Sequence, residues 1–420
     1  MNQDIICDAA LSEEHLSAAV AEFFRTVRPE RQRLYDYYRG TQAVNKGETV
    51  RGRPNNLLRV PFPRYITEVH TGYFLGVPPT LAFPAQEVSP AFTALAEHLR
   101  LEHLLFDIGR DMSICGAGFA LVWLDRSGLR AVRCDPCNCF TLRSPAAGEE
   151  PLATVRLYQD AEGGTRGVVY QKDRLRRFLW EGSRLRWEGT EPNLLGVLPL
   201  IPFANNCEGS GDFEPVTGLV DAYNLLLSGA MDDMQSVANA FLALYGMQGT
   251  TQEDINAANR SRILSLSEGG RAEFVVKNLN HEALSQLEHN LRRSILQLSM
   301  TPDLSDESFA GNASGVALQY KLWGIEQVRA AKERSFTAPL LQLLEAFSAG
   351  LQLLGTPVDL RGAKITFYKN LPEDHKQQVE MLLSLDHILS HRTILEQLPW
   401  VKDVADELQR KAEESTADEA

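Results

Sequence analysis

Residues 211–244, GDFEPVTGLVDAYNLLLSGAMDDMQSVANAFLAL, give the chain its longest regular pattern. The stretch opens on a glycine-rich turn. Asp212 or Glu214 stands where a helix N-terminus wants an acceptor, and Pro215 suits the first helical turn. Val216, Leu219, Val220, Tyr223, Leu227, Ala230, Met234, Val237, Phe241 and Leu244 then recur at three- and four-residue steps. That spacing predicts an amphipathic helix of about 30 residues, on the order of 45 Å long. Such a length exceeds the needs of a small domain. It reads as a strut, or as a surface packed against identical neighbours, with the apolar stripe facing a core.

Downstream, residues 246–280 carry Gly246, Gly249, Gly269 and Gly270, and RILSLSEG and RAEFVVKNL read as two strands joined by a tight turn. A further helix is predicted over 281–299. The two helices with the β-rich excursion between them make a hairpin able to project from a body. Residues 301–315, TPDLSDESFAGNASG, break the pattern with proline, glycine and acids. A long helix follows over 316–353, with a kink expected at Pro339. KITFYKNLP at 364–372 alternates like a strand, and 373–412 reads as a polar helix with a frayed end.

Upstream, Ser12 can open a helix over 12–40 that stops at Gly40, with Leu16, Val20, Phe23 and Phe24 at helical spacing. Residues 41–56 read as a loop. A helical rhythm covers 60–76 (Phe62, Tyr65, Ile66, Val69, Tyr73, Phe74), and another helix is predicted over 90–114. From 118 to 190, short runs rich in β-formers alternate with turn residues, the signature of an antiparallel sheet module. The fold class is therefore α+β and mainly helical.

At 420 residues the chain can hold two or three domains. Hydrophobic residues at 44% and charged residues at 23% suit a globular protein, and no apolar run is long enough to span a bilayer. The start, MNQDIICDAALSEEHL, lacks the basic and apolar regions of a signal peptide, so the expected place is the cytoplasm or a particle built there. A net charge of −13 makes the chain a poor general binder of nucleic acid, because Lys and Arg supply that affinity.

Chemistry-bearing motifs are few. Of the six cysteines, Cys134, Cys137 and Cys139 cluster. A structural zinc wants a second ligand pair, and the nearest histidine is His103, so ordinary thiols in a strand-and-turn segment are expected. No GxxxxGK[ST] loop is present, so ATP hydrolysis is not expected. Gly116 and Gly118 lack the third glycine of a dinucleotide turn, and Ser314 in GNASG stands one place off a nucleophile elbow. Asp303, Asp306 and Glu307 read as solvated carboxylates rather than metal ligands. The chain is thus read as no enzyme, with no catalytic residue, no metal and no cofactor.

Three segments resemble the portal proteins of SPP1-type tailed phages. The first is YYRG at 37–40 with RPNNLLRVPFPRYITEVHTGYFLGVPP at 53–79, which pairs Asn55 and Asn56 before an aromatic helix ending in Tyr73, Gly76 and Pro78. The second is 211–244, with Asp221, Ala222 and Tyr223 and the step Ala238, Asn239, Ala240. The third and most specific is TPDLSDESFAGNASGVALQYKLWGIEQVRAAKERSF at 301–336. FYKNLPEDHKQQVE at 367–380 and ILEQLPWVKDVADEL at 394–408 are also similar to that family's closing segments. The match keeps its order along most of the chain, whose sheet region is not distinctive and whose length is short for the family.

The resemblance implies a portal fold assembled as a ring of about a dozen subunits. Residues 1–210 would form the wing, 211–245 a stem helix, 246–280 the clip, and 281–300 the second stem helix. Residues 301–315 would be a tunnel loop, 316–372 a long kinked helix with a return strand of the wing, and 373–420 the crown. Double-stranded DNA would pass Thr301, Asp303, Asp306, Glu307, Ser308, Asn312 and Ser314, with Arg292 and Arg293 as channel-facing basic residues or as partners in salt bridges between subunits. Glu253, Asp254, Arg260, Arg262, Glu268 and Arg271 would dock the terminase large subunit and later the neck adaptor. Major capsid and scaffolding proteins complete the implied partners, no membrane is implied, and the implied location is the portal vertex of a virion. The competing readings are another head-joining or minor capsid protein, and a metal-dependent phosphoesterase using the acidic loop.

Overall fold

The computed structural model describes residues 5–6, 11–47, 54–84, 88–144, 151–182, 184–238, 241–245, 271–275, 281–305 and 315–370, and single positions at 251, 253, 256, 390, 404, 407–408 and 410–411. The first described element is a two-residue strand, β1 (Ile5–Ile6). The Ser12 hydroxyl then accepts the amide of His15 at 3.3 Å and opens α1 (Glu13–Glu22). The helix widens into a π turn at Phe23–Val27 and continues as α2 (Arg28–Arg39), which ends at Gly40 in the left-handed region (φ 74°). Next come α3 (Phe62–Leu75), β2 (Thr80–Ala82), α4 (Val88–Leu99) and α5 (Leu101–Cys115).

Strands β3 (Ala117–Asp125), β4 (Gly128–Cys134), β5 (Cys139–Arg143), β6 (Pro151–Gln159), β7 (Thr165–Tyr170), β8 (Arg174–Glu181), β9 (Arg184–Pro192) and β10 (Leu200–Ala204) follow. The sequence-predicted sheet module is in fact two sheets. One has the order β1-β5-β6-β7-β8-β9, antiparallel except where β1 joins β5 in parallel; the other has the order β10-β3-β4. The rest of the chain is α6 (Thr217–Ala238), β11 (Phe241–Tyr245), β12 (Arg271–Val275), α7 (His281–Leu298), α8 (Gly315–Leu353) and β13 (Lys364–Thr366), which pairs with β2.

The sheet faces that are buried are buried for legible reasons. Leu16, Val20 and Phe23 lay one side of the α1 run on Phe140, Val155, Val169 and Phe178 of the larger sheet, with Phe23 and Phe140 stacked at 4.6 Å. Strand β3 is covered on both faces. Ala120 and Val122 join the cluster of Ile108, Met112, Phe203, Phe336, Leu340 and Phe347, while Phe119 and Leu121 face the other sheet with Cys134, Cys139, Tyr170 and Leu200. That double burial explains why AGFALV reads as an unbroken apolar run instead of alternating. A further core joins α2, α3, α6 and α7 through Leu34, Phe62, Ile66, Val220, Tyr223, Ile295 and Leu296.

Several expectations change. The helix expected over 90–114 is two helices, broken at Arg100, whose backbone turns left-handed (φ 49°). The helix expected to reach 245 ends at Ala238, and Phe241–Tyr245 forms β11 instead, in an antiparallel ladder with β12. The β12 strand was expected, but paired with RILSLSEG; that segment lies outside the described residues. Of the strand expected over 364–372, the described residues up to 370 form strand only at Lys364–Thr366, which pair with β2; 371 and 372 lie outside the described residues. Pro339 does lie inside α8. The chain divides into two units, Met1–Lys369 and Asn370–Ala420. In the second, Val404, Glu407, Leu408, Arg410 and Lys411 have helical backbone, and Arg410 pairs with Glu407 at 3.7 Å.

Candidate functional site

The root of α6 is fixed by a close approach that only glycine permits. Gly116 ends α5 in the left-handed region (φ 78°), and a Cβ there would lie 2.0 Å from the carbonyl oxygen of Gly209. Backbone bonds from Asn205 to Gly116 (2.9 Å) and from Asp212 to Ser113 (2.8 Å) then hold residues 205–212 against the end of α5. Gly116 therefore has a structural task in the turn that the sequence had weighed only against a nucleotide site.

That turn delivers Asp212 into a buried ionic junction. Its carboxylate accepts from Lys332 of α8 at 2.6 Å, from Asn205 at 2.8 Å and from the Ser113 hydroxyl at 2.5 Å. His70 Nδ1 of α3 stands 3.5 Å away, and its Nε2 shares a hydrogen bond of 2.9 Å with the Thr301 hydroxyl, which also bonds Ser299 at 2.9 Å. Lys332 and His70 are each 2% exposed and Thr301 5%. Burial would raise the Asp212 carboxyl, but Lys332, His70 and the hydrogen bonds outweigh it, so the net shift is downward and the group stays ionised. Burial lowers His70 to about 4; Asp212 opposes the shift and Lys332 adds to it. Asp212 is thus an internal counter-ion, not the helix cap that its position suggested. Thr301, expected at a DNA-facing loop, is turned inward, because its hydroxyl has buried polar partners.

Residues 54–60 lie along α6. Asn56 donates from its backbone and side chain to Asp232 (2.8 and 2.7 Å), Leu58 N–H to Ser228 (2.9 Å) and Val60 N–H to Asn224 (2.8 Å); Lys46 forms an ion pair with Asp232. The phenol of Tyr37 donates to Asp221 of α6 at 2.6 Å, and Tyr223 donates to Glu288 of α7 at 2.8 Å. The paired-asparagine element and the Asp-Ala-Tyr step, far apart in sequence, thereby meet on one helix.

Beyond Thr301, Arg292 of α7 binds Asp303 through both carboxylate oxygens at 3.2 Å and Ser305 at 2.5 Å. Partial burial raises the Asp303 carboxyl, yet Ser305 and Arg292 together bring it below the usual range. Tyr65 accepts from Leu304 N–H (3.2 Å) and donates to the Pro302 carbonyl (2.9 Å). Arg292 and Asp303 therefore meet within one chain, whereas Arg293 is exposed. Around this loop the large apolar side chains of Leu298 (62%), Leu304 (55%), Tyr320 (77%) and Trp323 (64%) are exposed, and Met300 lies beside Gly324. Between α6 and α7 an apolar cleft of about 300 Å³ is lined by Ala230, Met234, Leu284 and Leu287. Asp306, Glu307, Ser308, Asn312 and Ser314 lie outside the described residues, as do Asp254, Arg260, Arg262 and Glu268. Of the remaining docking candidates, Glu253 is exposed and Arg271 begins β12 opposite Tyr245. No group of three metal-ligating side chains occurs among the described residues, and none of their helices is long and apolar enough to cross a membrane.

Comparison with known proteins ties this architecture to one family. The phage portal protein family described as SPP1 Gp6-like matches residues 24–420. The chain belongs to that family. Its relatives include the portal protein of Clostridium phage phiCD119, 24% identical over 213 residues, and the portal protein of Bacillus phage SPP1, 28% identical over 231 residues. These alignments take in 49% and 52% of this chain but 46% and 44% of the relatives, so the chain spans about half the length of the curated relatives it matches. Among the solved structures it resembles are the neck of a native GTA particle computed with C12 symmetry and the neck of an empty GTA particle computed with C6 symmetry. Both have a TM-score of 0.48; they are 12% and 11% identical and cover 81% and 80% of this chain and 90% and 88% of theirs.

Within this portal-family chain, the sequence placed Asn56 only in the paired-asparagine element and Tyr73 and Tyr223 only on apolar helix faces, with no task for their polar groups. Their phenol and amide groups pin α6, α7 and α8 (Tyr73 donates to Glu326 at 2.9 Å). The junction of His70, Asp212, Thr301 and Lys332 was missed as a unit. Its members are spread over more than half the chain, and the one signal available, charged residues on otherwise apolar helix faces, is weak.

Proposed function

We propose that the chain is a portal vertex subunit whose copies close into a ring around an axial channel for DNA entering and leaving a capsid. The observation that carries this reading is the family match from residue 24 to residue 420, which runs through the whole helix–strand–strand–helix hairpin. In this reading α6 and α7 are the stem, and residues 246–280 are the clip that meets the packaging terminase and then the neck adaptor. Residues 301–315 border the channel, with Asp303 held by Arg292 at the edge of the loop.

The exposed apolar groups support assembly. Tyr320, Trp323, Leu298 and Leu304 cluster in the segments flanking the loop, and Met234 and Leu287 are exposed on the paired helices. A single chain leaves these in water; contact with a neighbour would cover them, and about 800 Å² per partner is enough for a specific interface. The acidic balance suits a lumen past which a polyanion slides instead of one that grips it. Negative-stain microscopy of the purified chain tests the proposal: annular particles with a central hole are expected, and material that stays monomeric at every concentration and ionic strength would overturn it.

A further inference from the structure

The two large sheets are joined by a very short crossing. Cys134 is the last residue of β4 in the smaller sheet, Cys139 is the first residue of β5 in the larger one, and a single 3-10 turn at Pro136–Asn138 separates them. The turn is held tightly. Asp135 accepts the Cys137 amide at 2.9 Å, and the buried Arg31 guanidinium donates to the carbonyls of Pro136 and Cys139 at 2.5 and 2.6 Å. The geometry places the Cys134 and Cys139 side chains in one buried cluster in the apolar layer between the sheets, close enough for the Cys139 thiol to act on the Cys134 thiol. Cys137 departs to a different core, with Leu34, Ile114 and Cys115. Both paired cysteines also line a cleft of about 390 Å³ whose walls carry Arg28, Arg133 and Arg156 as well as Asp135 and Asn138.

We propose that Cys134 and Cys139 form a redox-active dithiol that closes to an intramolecular disulfide by exchange with an anionic small-molecule disulfide of the glutathione class entering this cleft. The pair is asymmetric in a way that orders the chemistry. The Cys139 thiol lowers the Cys134 thiol against the opposing effect of burial, with help from Arg156 and Arg133, whereas burial raises Cys139. Cys134, next to Arg133 in the chain and in a cleft also lined by Arg156, is the attacking sulfur. Its thiolate displaces one thiolate from the small disulfide, which takes up the proton that Cys134 released, and leaves a mixed disulfide on Cys134. Cys139 then loses its proton, its sulfur attacks Cys134 Sγ, and the second small thiolate leaves and is protonated. Two protein thiols are oxidised by two electrons, and one small disulfide is reduced to two thiols. The arginine-lined wall suits the carboxylates of that reagent. The product would staple β4 to β5, and so one sheet to the other. A reducing cytoplasm keeps the pair open, whereas an oxidising exterior closes it.

The test uses the reduced full-length chain, incubated with glutathione disulfide at mildly alkaline pH. It is then quenched with an alkylating agent under unfolding conditions and read by intact mass and by the tryptic peptide Cys134–Arg143. The wild type and Cys137→Ser should lose two hydrogens, with the bond mapped to Cys134 and Cys139. Cys139→Ser should stop at the mixed disulfide on Cys134, and Cys134→Ser should form neither. Full alkylation of Cys134 and Cys139 in the wild type, while the exposed Cys207 becomes glutathionylated in the same sample, would overturn the proposal. So would a bond mapped to Cys137. Because the wild-type peptide map decides by itself, misfolding of a cysteine variant does not rescue the idea.

Discussion

Single residues set the stability of the core around Asp212. Replacing Lys332 with methionine keeps the bulk and leaves the carboxylate without its main cation, so chemical denaturation should show a loss of about 3–5 kcal/mol. Adding Asp212→Asn should recover much of that loss, since the stranded charge is removed. His70 gives the junction a pH dependence whose sign follows from its shift. The unfolded side chain protonates at its ordinary 6.5 and the folded one only at about 4, so between those values the unfolded state holds the extra proton. Stability is therefore complete above about pH 6.5 and falls as pH drops toward 4, by on the order of 3 kcal/mol. The depressed Asp212 carboxyl acts with the same sign below its ordinary 3.8. Melting curves over pH 4–7 should show this slope, and His70→Gln should flatten it. None of this was legible from spacing, because each partner comes from a different element and a lone His or Lys in a helix reads as surface.

At the scale of elements, the sequence was readable where periodicity was long and unopposed: α1 with α2, α3, α7 and α8 lie within a few residues of their expected bounds. It failed where one residue or one distant partner decided. Arg100 turns left-handed between two helices whose apolar rhythms run on without interruption. A side chain with a Cβ is strained there, so Arg100→Gly should raise stability by about 0.5–1 kcal/mol in thermal unfolding, whereas the same change at the mid-helix Arg110 should lower it. Phe241–Tyr245 carries the stem's three-and-four spacing, yet its backbone bonds go to Arg271–Val275, some thirty residues on, and no local pattern announces that ladder. The end of the 41–56 stretch read as a mere loop, although with the residues up to Val60 it straps α6. Asn56→Ala removes the side-chain bonds to Asp232 and Gln235 while the backbone bond to Asp232 stays, and should cost about 1–3 kcal/mol, with faster amide exchange in residues 224–235.

For the whole molecule, the resemblance carried more than composition did. Length, charge and strand content alone fit any acidic α+β protein, whereas 301–336 pointed to a family that matches residues 24–420. If Tyr320 and Trp323 are covered by a neighbouring copy, changing both to serine should leave melting of the monomer within about 1 kcal/mol of the parent. Light scattering should meanwhile show the ring population shifted toward free subunits. Unaltered assembly would place the interface elsewhere. The junction at Asp212 has a mechanical consequence as well. Lys332 sits in the middle of the longest helix, and Asp212 lies two residues ahead of the turn that opens α6. The ion pair between them acts as a rivet, so axial sliding of the long helix would pull on the root of α6 through this joint as well as through the packed core.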